Sequence, residues 1–182
     1  MIQVENVVKS FDGFRALDGL TMTVPTGAIY GLVGPNGAGK YTILRHITGV
    51  YQQDSGVVLC DGETIYENPA VKEKIACIPD ELYYFESASV RDMARFYKGV
   101  YPKFDSERYQ KLKEIFHTVD EKRPIRRLSK GMQKQAAFWL AMCCRPEILV
   151  LDEPVDGLDP VMRRQVWSLL MGDVEQEGTT VL

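Results

Sequence analysis

With 182 residues the chain is long enough for one well-buried domain, or for one interrupted by a smaller lobe, and too short for two independent ones. Hydrophobic residues at 45% and charged residues at 26%, with 15 Gly and 9 Pro, exclude a disordered, collagenous or repeat-built chain. Twenty-two Lys+Arg against 25 Asp+Glu leave a net charge of −3, so no global positive field exists to hold nucleic acid. The basic cluster Lys122, Arg123, Arg126 and Arg127 is broken by Pro124 and Ile125 and reads as a solvated loop. Cys60, Cys77, Cys143 and Cys144 lack metal-ligand spacing and read as reduced thiols, which fits the cytosol. No stretch approaches the roughly 18 apolar residues of a membrane span, so work at a membrane would require docking on a spanning partner.

Apolar residues alternate with polar ones over Ile2–Val8 and Leu20–Val24, the period of strands with one solvated face. Ile29 to Val33 is apolar on both faces and ends in glycines, which predicts a buried parallel strand. A helix begins where the glycines end and carries Ile43, Leu44 and Ile47, with Gly49 as its stop. Asp61-Gly62 suits a tight hairpin turn between Gly56 and Ile65, and Ile75–Ile78 is another short buried strand. Beyond Pro79 the pattern turns helical. Ser89 and Asp92 form a capping box ahead of Val90, Met93, Ala94 and Tyr97; Tyr109, Leu112 and Phe116 mark a second helix, and Met132 to Met142 a third. The aromatics Tyr83, Tyr84, Phe85, Phe96, Tyr97 and Tyr101 read as lobe core and surface anchors. Glu147–Leu151 restores a buried strand, a helix follows Pro160, and Thr179 opens a last strand. The division that results is a core of residues 1–80 and 146–182 with a helical insert at 81–145.

Gly34-Pro35-Asn36-Gly37-Ala38-Gly39-Lys40 follows one predicted strand and opens a helix, the context a phosphate-binding loop requires. Glycines let backbone N–H groups converge on phosphate oxygens, the helix N-terminus adds partial positive charge, and Lys40 supplies a cation. The next position should carry Ser or Thr, whose hydroxyl ligates magnesium, and here it is Tyr41. Mg²⁺ demands oxygens at about 2.1 Å, which a phenol at the end of a ring does not supply from that place. Thr42 lies about 100° further round the helix. Two readings stand: water completes the metal shell and binding survives, or the ring blocks the metal and hydrolysis is impaired. At the end of a second buried strand, Asp152 suits the metal and Glu153 suits the general base that polarises the attacking water. Leu128-Ser129-Lys130-Gly131-Met132 precedes a helix, with Ser129 and Gly131 placed as a second anion site.

Together these motifs resemble the nucleotide-binding domain of ATP-binding cassette (ABC) transporters, over the whole chain. The family's loop reads GPNGAGKST, so Tyr41 is the break; its signature reads LSGGQ, against LSKGM here; Ile148–Pro154 matches its second nucleotide motif and Gly157-Leu158-Asp159 its dimer-contact loop. The resemblance implies a P-loop α/β fold of ABC type, with a mostly parallel core sheet, an antiparallel β subdomain and a helical insert. It implies ATP and Mg²⁺ as cofactors, with Gly34, Asn36, Gly37, Ala38, Gly39, Lys40, Tyr41 and Thr42 around the phosphates. Phe11 stands where an aromatic stacks on adenine, and Asp80 stands where the family places a magnesium-sensing glutamine. Glu153 and Lys40 would act in catalysis, and Ser129 and Gly131 would close on the ATP of a second copy, either identical or paralogous. The resemblance also implies a membrane-spanning permease as partner, of exporter type, docked near residues 80–100, with the chain at the inner face of the cell membrane. The family's switch histidine is expected a few residues past Leu182, and its strand beginning at Thr179 is central to the sheet, so a cut chain is expected. Two alternatives remain at this stage, a hydrolysis-impaired regulatory subunit and a soluble non-transport ABC ATPase.

Overall fold

The computed structural model describes residues 1–182. Its first layer is an antiparallel sheet of β1 (Ile2–Phe11), β2 (Phe14–Val24), β3 (Ser55–Cys60) and β4 (Glu63–Thr64), ordered β2-β1-β3-β4. β1 and β2 run several residues beyond the alternating stretches and meet at Asp12-Gly13, with Phe11 paired to Phe14. Register shifts between Val4 and Ser10 break the period of two in mid-strand, which is why the alternation is legible only at the strand ends. Asp61 and Gly62, both at positive φ, make the expected turn between β3 and β4.

The second sheet is parallel: β5 (Ile75–Ile78), β6 (Ile148–Leu151) and β7 (Thr180–Val181), in that order. Ile29 bridges Val181 in parallel on the far side of β7, so β7 lies between the Asp152 strand and the segment leading to the glycine loop. That segment is not the buried strand its composition predicts. Only Ala28 to Tyr30 bond to Val181, Ile29 is 45% exposed and Val33 98% exposed. β7 presents one paired residue to it, and an apolar run without a neighbouring backbone has no ladder to join.

Six helices cover these sheets: α1 (Lys40–Ile47), α2 (Pro69–Lys72), α3 (Val90–Val100), α4 (Ser106–Ile115), α5 (Lys130–Cys143) and α6 (Pro160–Glu177). The capping box at Ser89 forms as expected, and Asp105, Ser129 and Asp159 cap α4, α5 and α6 with their side chains. The pleat of the parallel sheet divides the interior in two. Ile75, Ile148 and Val150 face a core of 16 residues shared with α1 and the antiparallel sheet. Ala76, Ile78, Leu149 and Leu151 face a core of 27 residues shared with α3, α4, α5 and α6. Trp139 and Phe138 of α5 are fully buried in it, and the Trp139 ring stacks on Tyr109 at 4.8 Å while its Nε1 donates to the Tyr109 carbonyl at 2.9 Å. No helix is long and apolar enough to cross a membrane.

Candidate active site

The glycine loop delivers an uncapped helix. Gly39, at φ 84°, is the N-cap of α1, and no side chain bonds the first amides of that helix. Those N–H groups are therefore left for an anion, where the partial charge of the helix favours one. Only glycine suits position 39: a Cβ would stand 2.7 Å from the Ala16 carbonyl oxygen and 2.9 Å from a Leu17 methyl. The close approach fixes the loop against β2. Lys40 folds back over the loop, its ammonium bonded to the carbonyls of Gly34 at 2.6 Å and Pro35 at 2.9 Å.

Asn36, Gly37, Gly39, Lys40, Tyr41 and Thr42 line a groove of about 470 Å³, with Asp152 and Glu153 on its other wall. Phe11 and Phe14, at the tip of the first hairpin, close its end; they are 39% and 67% exposed. Phe11 thus lines the same groove as the glycine loop. Phe14 joins it there, and a phenylalanine on each side of Asp12-Gly13 is the sequence signal that two rings share a hairpin tip. A second cavity of about 250 Å³ adjoins, where Lys40, Asp152 and Glu153 face Trp167 of α6, a residue the periodicity of α6 does not mark.

Asp152 leaves the end of β6 with its amide donating to the Ile78 carbonyl at 2.9 Å, so both parallel strands hold it. Glu153 follows at φ 48°, an unusual conformation for a residue with a side chain and a local cost of about 1–3 kcal/mol. Its carboxylate is exposed to the groove. The Tyr41 ring lies on the guanidinium of Arg45, one helical turn away, at 4.6 Å, and the residue is half exposed. Thr42 is only 9% exposed and contributes to the groove wall despite its offset round the helix. His46, on the buried face of α1, has Nδ1 2.7 Å from the Thr42 carbonyl, and burial pushes its pKa down.

The sequence motifs do not all converge. Ser129 caps α5, accepting from the Met132 amide at 3.3 Å, and neither it nor Gly131 lines the groove. Gly131 packs instead on the loop after β6, so closely that a Cβ would collide with the Gly157 carbonyl. Asp80, expected beside the metal, is exposed and lines a different cavity with Lys130, Gln133 and Lys134. The turn after β5 carries Asp80 to the α5 side, whereas Asp152 faces the α1 groove.

No group of three or more His, Cys, Asp or Glu gathers to hold a metal. Asp152 and Glu153 are the carboxylates of the groove, and Tyr41 offers no short hydroxyl. Such a donor set fits magnesium as an ion carried on phosphate oxygens and completed by water, the usual arrangement for that metal.

Residues 17–156 match the family model described as ABC transporter. The ABC transporter ATP-binding protein YtrB of Bacillus subtilis (strain 168) is 34% identical over 182 residues, covering 100% of this chain and 62% of that protein. The chain therefore spans less than two thirds of that relative's length. A solved ATP-binding subunit of an ABC transporter superposes with a TM-score of 0.90 at 22% identity, over 100% of this chain and 78% of that one. The dimeric cassette MJ0796, solved in a post-hydrolysis state with ADP and Pi, gives a TM-score of 0.86 at 21% identity, over 100% and 86%. At those identities the superpositions speak for the fold, which is that of a P-loop ABC cassette. Because the family match runs from β2 through the glycine loop and the Ser129 turn to Asp152 and Glu153, this chain belongs to the ABC transporter family.

Proposed function

We propose that the chain binds ATP with its phosphates on the α1 N-terminus and hydrolyses it in a dimer that drives transport through a membrane partner. The observation that carries this is the shared groove, in which an uncapped helix start and Lys40 face Asp152 and Glu153. Asn36, Gly37, Ala38, Gly39 and Thr42 position the phosphates, and Lys40 leaves the Gly34 and Pro35 carbonyls to meet them. Phe11 supports the base. Asp152 would hold magnesium together with the nucleotide, and the ion would supply charge neutralisation at the phosphates. Glu153, exposed on its strained backbone, takes the proton of the attacking water.

Ser129 and Gly131 belong to no groove of their own chain's phosphate loop, which supports their use on a second copy arranged head to tail. The helical segment 81–145 is then the signature subdomain. Its half-buried and exposed aromatics Tyr83, Tyr84, Tyr97 and Tyr101 border a cavity of about 370 Å³ between α1, β5 and α5, which suits the permease contact. The place of work is the inner face of the cell membrane, on that partner.

One feature favours slow turnover: the hydroxyl that would ligate the metal is replaced by a ring held on Arg45. Calorimetry of the full chain with ATP, with and without Mg²⁺, tests the central reading. Heat is expected for the parent and its loss for Lys40→Ala. A parent that yields no heat with any nucleoside triphosphate, while its circular dichroism shows it folded, overturns the proposal.

A further inference from the structure

The tip of the first hairpin overhangs its sheet. β3 pairs with β1 only as far as Val8, opposite Ser55, so Lys9, Ser10 and Phe11 pair with β2 alone. A two-stranded ribbon is marginal by itself, yet this one carries Phe11, the ring read as the support of the base.

The segment that follows α1 takes the place of the missing third strand. The amides of Val50 and Tyr51 both donate to the Arg45 carbonyl of α1, at 2.8 and 3.1 Å. Asp54 then stitches the segment to β1. Its amide donates to the Val8 carbonyl at 2.9 Å, and its carboxylate accepts from the Ser10 amide at 2.7 Å and the Lys9 ammonium at 2.8 Å. Between these two attachments stands Tyr51, half-buried. Its ring meets Phe11 edge-on, with centroids 5.4 Å apart and planes at 62°, and meets His46 edge-on at 5.9 Å and 74°. His46 is 1% exposed and bonded to the Thr42 carbonyl, so the inner end of this row of rings is anchored in the helix that starts at Lys40. Phe11 keeps 39% of its surface exposed and lines the groove, so it is braced without being covered.

We propose that Tyr51 is a positioning residue for the nucleobase: wedged between His46 and Phe11, it sets the distance and tilt of the Phe11 ring relative to the phosphate-binding start of α1. The proposal rests on the reading of Phe11 as the base support. It adds a residue that lies outside the glycine loop, the Ser129 turn and the carboxylate pair. The gain is preorganisation, since a ring already fixed loses little freedom when a base stacks on it. The contact is made by the ring of Tyr51 and does not require its hydroxyl.

The test is a double-mutant cycle on ATP affinity, measured by calorimetry with Mg²⁺ on the full chain: parent, Tyr51→Leu, Phe11→Ala, and both together. Tyr51→Leu keeps apolar bulk against His46 and removes the edge contact with Phe11, and should weaken ATP binding roughly 3–10-fold. In the Phe11→Ala background the same change should cost less than about twofold. Tyr51→Phe, which keeps the ring, should retain the affinity. Inorganic tripolyphosphate, which carries the charge and no base, should bind the parent and Tyr51→Leu alike. Equal losses of ATP affinity in the two backgrounds, or a parallel loss of tripolyphosphate, overturn the proposal, because they report general damage to α1. If Phe11→Ala weakens ATP and Tyr51→Leu does not, the proposal falls and the base reading stands. If Phe11→Ala binds ATP as the parent does, the base reading falls and takes the proposal with it.

Discussion

The substitution that best separates metal chemistry from packing is Tyr41→Ser compared with Tyr41→Ala. Both remove a half-exposed ring and its contact with Arg45 at 4.6 Å, a loss of about 0.5–1 kcal/mol at an exposed site. Both should therefore lower the melting temperature alike, by roughly 1–4 °C. Only serine adds an oxygen on Cβ at the first residue after Lys40, on a helix start that already faces Asp152. One ligand to a charged centre is worth about 1.5–3 kcal/mol, so Tyr41→Ser should gain roughly 10–150-fold in MgATP turnover over Tyr41→Ala. ATP affinity without magnesium should be the same in both, because the amides and Lys40 are untouched. The assay is steady-state phosphate release with and without Mg²⁺, beside calorimetric affinities under the same two conditions. Serine and alanine variants that agree within twofold would refute the claim that the missing hydroxyl limits the metal. A serine-specific gain that persists without magnesium would refute it equally, since the hydroxyl would then be acting on phosphate.

Other consequences follow from close contacts and charge. Gly39→Ala forces a Cβ against the Ala16 carbonyl at positive φ, and should destabilise by about 2–4 kcal/mol and abolish ATP binding, as thermal melts and calorimetry would register. Glu153→Gln keeps the groove's shape and removes the base, so turnover should fall at least about 100-fold while ATP affinity is retained. Burial pushes the Glu121 carboxyl up, but hydrogen bonds from Arg91 at 2.7 Å and from Lys113 and Tyr109 at 2.9 Å overcome it and hold it at about 2. With the folded pKa below the ordinary value of 4.5, the stabilisation is complete above pH 4.5 and is lost as pH falls toward 2. About 3 kcal/mol is at stake, and melts of Glu121→Gln across that window should be flatter than those of the parent.

Local chemistry in the sequence determined most elements, because each is specified by residues within a turn or two of one another. The capping box at Ser89, the Asp61-Gly62 hairpin, the glycines that end in α1, and the apolar runs of β5 and β6 all formed where they were written. Lys40, Asp152 and Glu153 line one groove, since an open α/β sheet gathers such groups at the carboxyl ends of its strands. Partnership between distant segments was decided only by the tertiary structure. An apolar run such as Ile29–Val33 carries strand propensity but needs a neighbouring backbone, and β7 pairs with little of it. Asp80 and Asp152 end adjacent strands and read alike as acids, yet the turns that follow carry one toward α5 and the other toward α1. Lys134 looks like any surface lysine of an amphipathic helix; its burial exists only because the loop after β5 folds over α5, and a charge acquires its meaning from what excludes water around it.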